Sequence, residues 1–108
     1  MTDPLLTERD AVRAQVEVLT REFDSVVEAS RSSNADDEHD PEGATIAFER
    51  QQVVALLDAA QRRLADVEAA LERRASGGYG VCEVCGRPIP AERLAARPSA
   101  RTCVACAV

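Results

Sequence analysis

From Ser32 to Gly43 the chain reads SSNADDEHDPEG. Almost nothing in this stretch is apolar, and its Ser, Asn, Asp, Pro and Gly favour a turn. Asp40 before Pro41 reads as an N-cap followed by proline at the first helical position. Glu42 beside it suits the positive end of a helix dipole. The stretch sits midway between two segments that carry the same kind of apolar repeat, and that placement decides the fold.

On its N-terminal side, Leu5, Val12, Leu19 and Val26 recur at every seventh residue, and Val16 and Phe23 follow Val12 and Leu19 by four. Steps of four and three make a heptad seam, with Arg9 standing where another apolar residue is expected. Thr2 or Asp3 can cap the start, with Pro4 in the first turn. On the C-terminal side, Ile46, Val53, Ala60 and Val67 form one row. Leu57, Leu64 and Leu71 form the other, with Arg50 interrupting it. Ser76, Gly77 and Gly78 then stop the helix. Two helices of about 27 and 35 residues are roughly 40 and 50 Å long at the helical rise.

A short turn between long helices with facing seams predicts an antiparallel hairpin. The expected fold is therefore mainly α: a coiled-coil hairpin over residues 1–76 with an acidic tip near 32–43, then a small four-cysteine module over 77–108. The alternative for the heptads is a plain bundle that dimerises through the same seam. The central turn favours the hairpin, and a monomer is expected.

Composition narrows the class. Only 3% of the residues are aromatic and none is Trp, so the 108-residue chain lacks the side chains of a compact globular core. Small chains of this kind rely on a metal or on oligomerisation. The formal charge is −6, with thirteen Arg and no Lys, and an acidic chain is a poor nonspecific binder of phosphate backbones. No run of 18 apolar residues exists, so no membrane span is expected. The start, MTDPLLTERD, lacks the basic-then-apolar order of a signal peptide. A cytoplasmic location follows as an expectation, and there paired CxxC motifs point to metal before disulfides.

The cysteines lie in GVCEVCGRPI, Gly80 to Ile89, and TCVACA, Thr102 to Ala107. Cys82, Cys85, Cys103 and Cys106 form two CxxC pairs separated by 17 residues. Each pair can wrap one side of a tetrahedral ion, and Gly86 allows the tight turn that points N–H groups at sulfur. The spacing reads as one structural Zn2+. Iron would fit the same four-sulfur cage. A redox CxxC is not supported, because no βαβ pattern surrounds either pair. Four thiolates leave no open position for a catalytic water. No nucleophile–base pair or phosphate-binding glycine loop is visible, so no enzyme is expected. His39 belongs to the tip and reads as a solvated loop residue.

Between the pairs, PAERLAA suits a short helix, Ile89 and Leu94 are placed to cover the cage, and Tyr79 and Val81 to pack at its base. Residues 77–108 carry four Arg and two Glu, a formal +2. Four thiolates with one zinc add about −2, which leaves the module near neutral. A DNA-reading finger is clearly basic, so no sequence-specific DNA binding is expected.

YGVCEVCGRPIPAERLAARPSARTCVACA closely resembles the zinc finger of the DksA/TraR family. That family's signature, YGxCxxCGxxIPxxRLxAxPxAxxCxxC, spans Tyr79 to Cys106 here. The helical hairpin with an acidic tip resembles the longer members. The resemblance implies a transcription regulator that binds bacterial RNA polymerase. The coiled coil enters the secondary channel, and acidic tip residues come near the catalytic magnesium region to modulate initiation. Onto this chain it carries Asp36, Asp37, Asp40 and Glu42 as tip residues. The family's tip motif is DxxDxA; Asp37 and Asp40 supply DxxD, and Glu42 stands in the Ala place. The resemblance also raises ppGpp as a partner. Longer members reach it partly through a C-terminal helix, whereas this sequence ends two residues after Cys106, so no ppGpp residues are assigned. The rival reading is a zinc-stapled coiled-coil adaptor or oligomerisation module without polymerase binding.

Overall fold

The structure, a computed structural model, describes residues 3–32 and 41–107. Its elements are α1 (Pro4–Ser32), α2 (Pro41–Ser76), the short α3 (Ala91–Ala96) and a 3-10 turn (Val104–Cys106). No strand occurs among the described residues; one isolated antiparallel bridge pairs Val81 with Pro88. The fold is mainly helical, as the periodicity predicts. Both long helices reach slightly into the predicted turn, α1 through Ser32 and α2 from Pro41. No described helix is long and apolar enough to cross a membrane.

Local chemistry sets the helix ends. The Asp3 carboxylate accepts the Leu5 and Leu6 N–H groups at 3.1 and 3.4 Å, donors that have no partner inside the helix. Arg74 Nη1 lies 2.8 Å from the same carboxylate and holds it below the usual carboxylate range. At the end of α2, Gly78 N–H bonds Arg73 O at 2.8 Å and Gly77 N–H bonds Arg74 O at 3.3 Å. This is a Schellman cap, and its pivot Gly77 has φ +87°, a conformation that glycine adopts without a Cβ clash.

The chain packs as two compact units. One is Val12–Arg62, formed by the distal parts of α1 and α2. Its buried side chains are Val12, Leu19, Val53 and Ala60, all on the predicted seven-residue rows. Val16, Phe23, Val26, Ile46 and Leu57 are half-buried beside them. Glu22, Ser25 and Val26 line one groove with Glu49, Gln52 and Val53, and Ser30 shares another with Ala47, Arg50, Gln51 and Val54. Late α1 therefore lies against early α2, the order of an antiparallel hairpin.

The other unit is Met1–Ala11 with Arg63–Val108. Leu5, Val67 and Ala70 form its buried apolar cluster, and Leu71 and Tyr79 pack against it. Arg9, which interrupts the predicted seam, remains half-buried and turns its guanidinium to Asp10 at 3.0 Å. Val81 departs from expectation. It is 42% exposed, because the bridge to Pro88 fixes its backbone and leaves the side chain outside. Tyr79 alone makes the packing expected of the pair.

Candidate metal centre

The first cysteine pair is shaped by a tight backbone turn. Gly86 N–H donates to Cys82 O at 3.0 Å, with Gly86 at φ +74°. Cys82 N–H bonds Arg87 O at 2.8 Å, and Ile89 N–H bonds Gly80 O at 2.7 Å, so the chain doubles back around the turn. The second pair flanks the 3-10 turn, where Cys106 N–H bonds Cys103 O at 3.1 Å. Glu83 N–H reaches Arg101 O at 2.9 Å and joins the two turns.

These turns bring together all four cysteines singled out by the spacing. The Sγ atoms of Cys82, Cys85, Cys103 and Cys106 lie within 4.8 Å of one another. Cys85 Sγ and Cys103 Sγ are 3.8 Å apart. Four sulfurs at about 2.3 Å from a tetrahedral zinc are separated by about 3.8 Å, so the cage fits the ion. A disulfide needs about 2.05 Å between sulfurs, and all four cysteines are free. The donor set, all soft thiolate, suits Zn2+ as a structural cofactor and leaves no ligand position for a substrate.

Backbone N–H groups prepare the sulfurs for the ion. The Cys85 N–H foremost, then those of Cys103 and Val84, pull the Cys82 thiol down to about 6 against the effect of burial. The Cys106 N–H lowers Cys103 in the same way. Cys106 is pushed up to about 12, chiefly by its hydrogen bond with the Cys103 sulfur, since adjacent sulfurs resist a second negative charge. A zinc ion held by these four sulfurs would keep them as thiolates and crosslink the two turns.

Of the two residues expected to cover the cage, Ile89 is buried and Leu94 is half-buried. PAERLAA does form the short helix α3. Three contacts carry no sequence signal. Tyr79 donates its hydroxyl to Pro98 O at 2.8 Å, Arg93 Nε donates to Thr102 O at 2.7 Å, and Arg73 pairs with Glu83 at 3.7 Å. The first two end on backbone carbonyls, which sequence does not mark. Arg101 also approaches Asp66 at 3.8 Å, an exposed pair of small energetic weight. Asp36, Asp37 and Asp40, His39 and the side chain of Glu42 lie outside the described residues.

Comparison with known proteins bears on the same region. Residues 77–108 match the prokaryotic dksA/traR C4-type zinc finger. The uncharacterized protein YteA of Bacillus subtilis (strain 168) is 42% identical over 69 residues, 64% of this chain and 29% of that protein. General stress protein 16O of the same organism is 36% identical over 77 residues, 71% of this chain and 47% of that protein. The chain thus spans less than half the length of these curated relatives. Its fold is similar to the structure of transcription factor DksA2 from Pseudomonas aeruginosa, with a TM-score of 0.58 and 29% identity, covering 94% of this chain and 78% of that one.

Proposed function

Because the chain belongs to the DksA/TraR family, we propose that it is a transcription regulator that binds bacterial RNA polymerase. In this reading the hairpin over residues 1–76 enters the secondary channel tip first, and the finger over residues 77–108 holds the base of the coil. The observation that carries the proposal is the likeness to a transcription factor over nearly the whole chain, finger and hairpin together.

The chemistry suits these roles. Cys82, Cys85, Cys103 and Cys106 act as the four ligands of one structural Zn2+, and the protein works in the cytoplasm. Residues 1–76 carry 17 acidic residues against nine Arg, so this part of the chain has a strongly negative field that steers it towards a basic channel. Five of those acids fall between Asp36 and Glu42. Carboxylates brought near a catalytic magnesium ion compete for its field and for the groups that ligate it. Asp36, Asp37, Asp40 and Glu42 are the acids proposed for that task.

The double substitution Asp37→Asn/Asp40→Asn tests the tip. It removes two charges from the acidic stretch. Pull-down with polymerase core is expected to persist, while the effect on promoter-complex lifetime in purified transcription is lost. Regulation that survives the double substitution contradicts the role given to the tip, and loss of binding places those carboxylates in affinity instead.

A further inference from the structure

The helix α2 changes character along its length. Between Ala44 and Ala60 only Glu49, Arg50 and Asp58 are charged, whereas residues 61–76 carry seven charged side chains. Exposure follows the same division. Phe48, Val54 and Leu56 are 65, 38 and 55% exposed, and residues 61–76 expose no large apolar side chain. The chain has three aromatic residues. Phe23 is half-buried in the seam and Tyr79 packs at the base, so Phe48 alone faces outwards.

The exposed apolar side chains of α2 do not share one stripe. A helix turns about 100° per residue. Measured from the buried seam residue Val53, Val54 stands about 100° to one side, and Leu56 and Phe48 about 60° and 140° to the other. Together they span about 200° of the circumference. One packing neighbour covers a stripe of about 100°. Neither a flat surface nor one further helix, such as that of a second copy, therefore covers all three. A helix that is apolar on every side is one that its surroundings enclose. Exposed apolar residues scattered singly need no partner. Here three fall between positions 48 and 56 of one helix, on different sides of it, shortly after the acidic stretch that ends at Glu42.

We propose that residues 44–60 of α2 form an apolar collar that seats inside the polymerase channel, with Phe48, Val54 and Leu56 packed against apolar side chains of a wall that surrounds the helix. This inference rests on the polymerase reading above and adds a division of labour to it. The acids of residues 36–42 act by charge, which reaches over distance and sets how fast the partners meet. The collar acts by contact, which forms only once the helix is seated and sets how long it stays.

The test follows association and dissociation of the zinc-loaded full chain on immobilised bacterial RNA polymerase core. It compares Phe48→Ala, Val54→Ala, Leu56→Ala, the triple variant and Gln61→Ala, an exposed position on the same helix beyond the collar. Alanine keeps helix propensity, so the fold should persist, as circular dichroism and zinc content will show. Phe48→Ala is expected to dissociate about tenfold faster and the other two about threefold, with association rates unchanged. Gln61→Ala is expected to match the unaltered chain. Unaltered dissociation of the triple variant overturns the collar and leaves the polymerase reading standing. An effect at only one of the three positions reduces the contact to a single stripe and overturns the enclosure. Dissociation of Gln61→Ala as fast as that of Phe48→Ala overturns the boundary of the collar. If the triple variant fails to fold, the single variants decide by the same criteria. An unaltered chain that does not bind the core overturns the polymerase reading, and the collar with it. Sedimentation of the free chains tests the remaining occupant: self-association of the unaltered chain that the triple variant loses assigns these side chains to a second copy and overturns the proposal.

Discussion

Among the described residues of 12–62 the buried side chains are Val12, Leu19, Val53 and Ala60, all apolar and all on seven-residue rows. Around the cysteines only Cys82 and Ile89 are buried, and the remaining order comes from backbone N–H groups, a tyrosine hydroxyl and an arginine that end on carbonyls. The two regions solve the same problem, too few large apolar residues for a globular core, in different ways. The hairpin spreads its few buried methyl groups along a line, where each holds its own turn. The finger gathers donors at a point, where a metal ion replaces a core. A line loses stability in increments when it is cut, and a point is lost at once.

The largest expected effect comes from removing a ligand. Cys82→Ser should take the chain from about one bound zinc to almost none, because metal binding and folding of the finger are one event. Elemental analysis reads the metal, and far-ultraviolet circular dichroism should still report most of the long-helix signal. A variant that keeps its zinc, or one whose long helices melt with the finger, breaks the contrast between the regions.

A smaller effect is expected from the line. Leu19→Ala leaves a cavity in the seam and should cost about 2 kcal/mol, the low end for such changes, because neighbouring side chains at a narrow seam can relax into it. Its urea midpoint should fall while zinc content stays unchanged. Equal loss of zinc would show that the finger cannot hold its metal without an intact seam.

The smallest effect is at the helix start. Asp3→Asn keeps an acceptor for the N-terminal amides but loses the charge opposite Arg74. The pair depresses the Asp3 carboxyl in the folded chain. Its stabilising contribution is therefore present above the unfolded value of about 3.9 and disappears as pH falls through the lower folded one. The thermal midpoint of Asp3→Asn should sit slightly below that of the unaltered chain at pH 7. The gap should close on acidification and shrink with added salt. A gap that persists at pH 2 would assign the loss to the cap rather than to the ion pair.

The two regions also differ in how legible they are in the sequence. The seam can be read because period seven is a one-dimensional signal: Leu5, Val12 and Leu19 announce themselves by spacing, and the structure buries each of them. Pro41 and the pair Gly77–Gly78 mark helix boundaries through backbone chemistry that is equally local. The finger's cysteines and Ile89 can be read from spacing and resemblance. What holds the finger together cannot. Arg93 to Thr102 and Tyr79 to Pro98 are side chains meeting backbone oxygens, and any residue offers such an oxygen. Arg74 to Asp3 spans 71 positions, a pairing that only the folded hairpin creates. Val81 misled for a related reason, since an apolar residue near a core was expected to join it and the local bridge turned it outwards.

We propose that the hairpin of this protein carries its tip into the polymerase secondary channel. Site-specific crosslinking from position 39, with zinc-loaded protein and bacterial RNA polymerase core, tests it most directly. The account predicts a crosslink to the active-site side of the channel. A folded, zinc-loaded protein that fails to bind polymerase at micromolar concentration, or that crosslinks only outside the channel, contradicts it and leaves a zinc-stapled coiled coil serving some other partner.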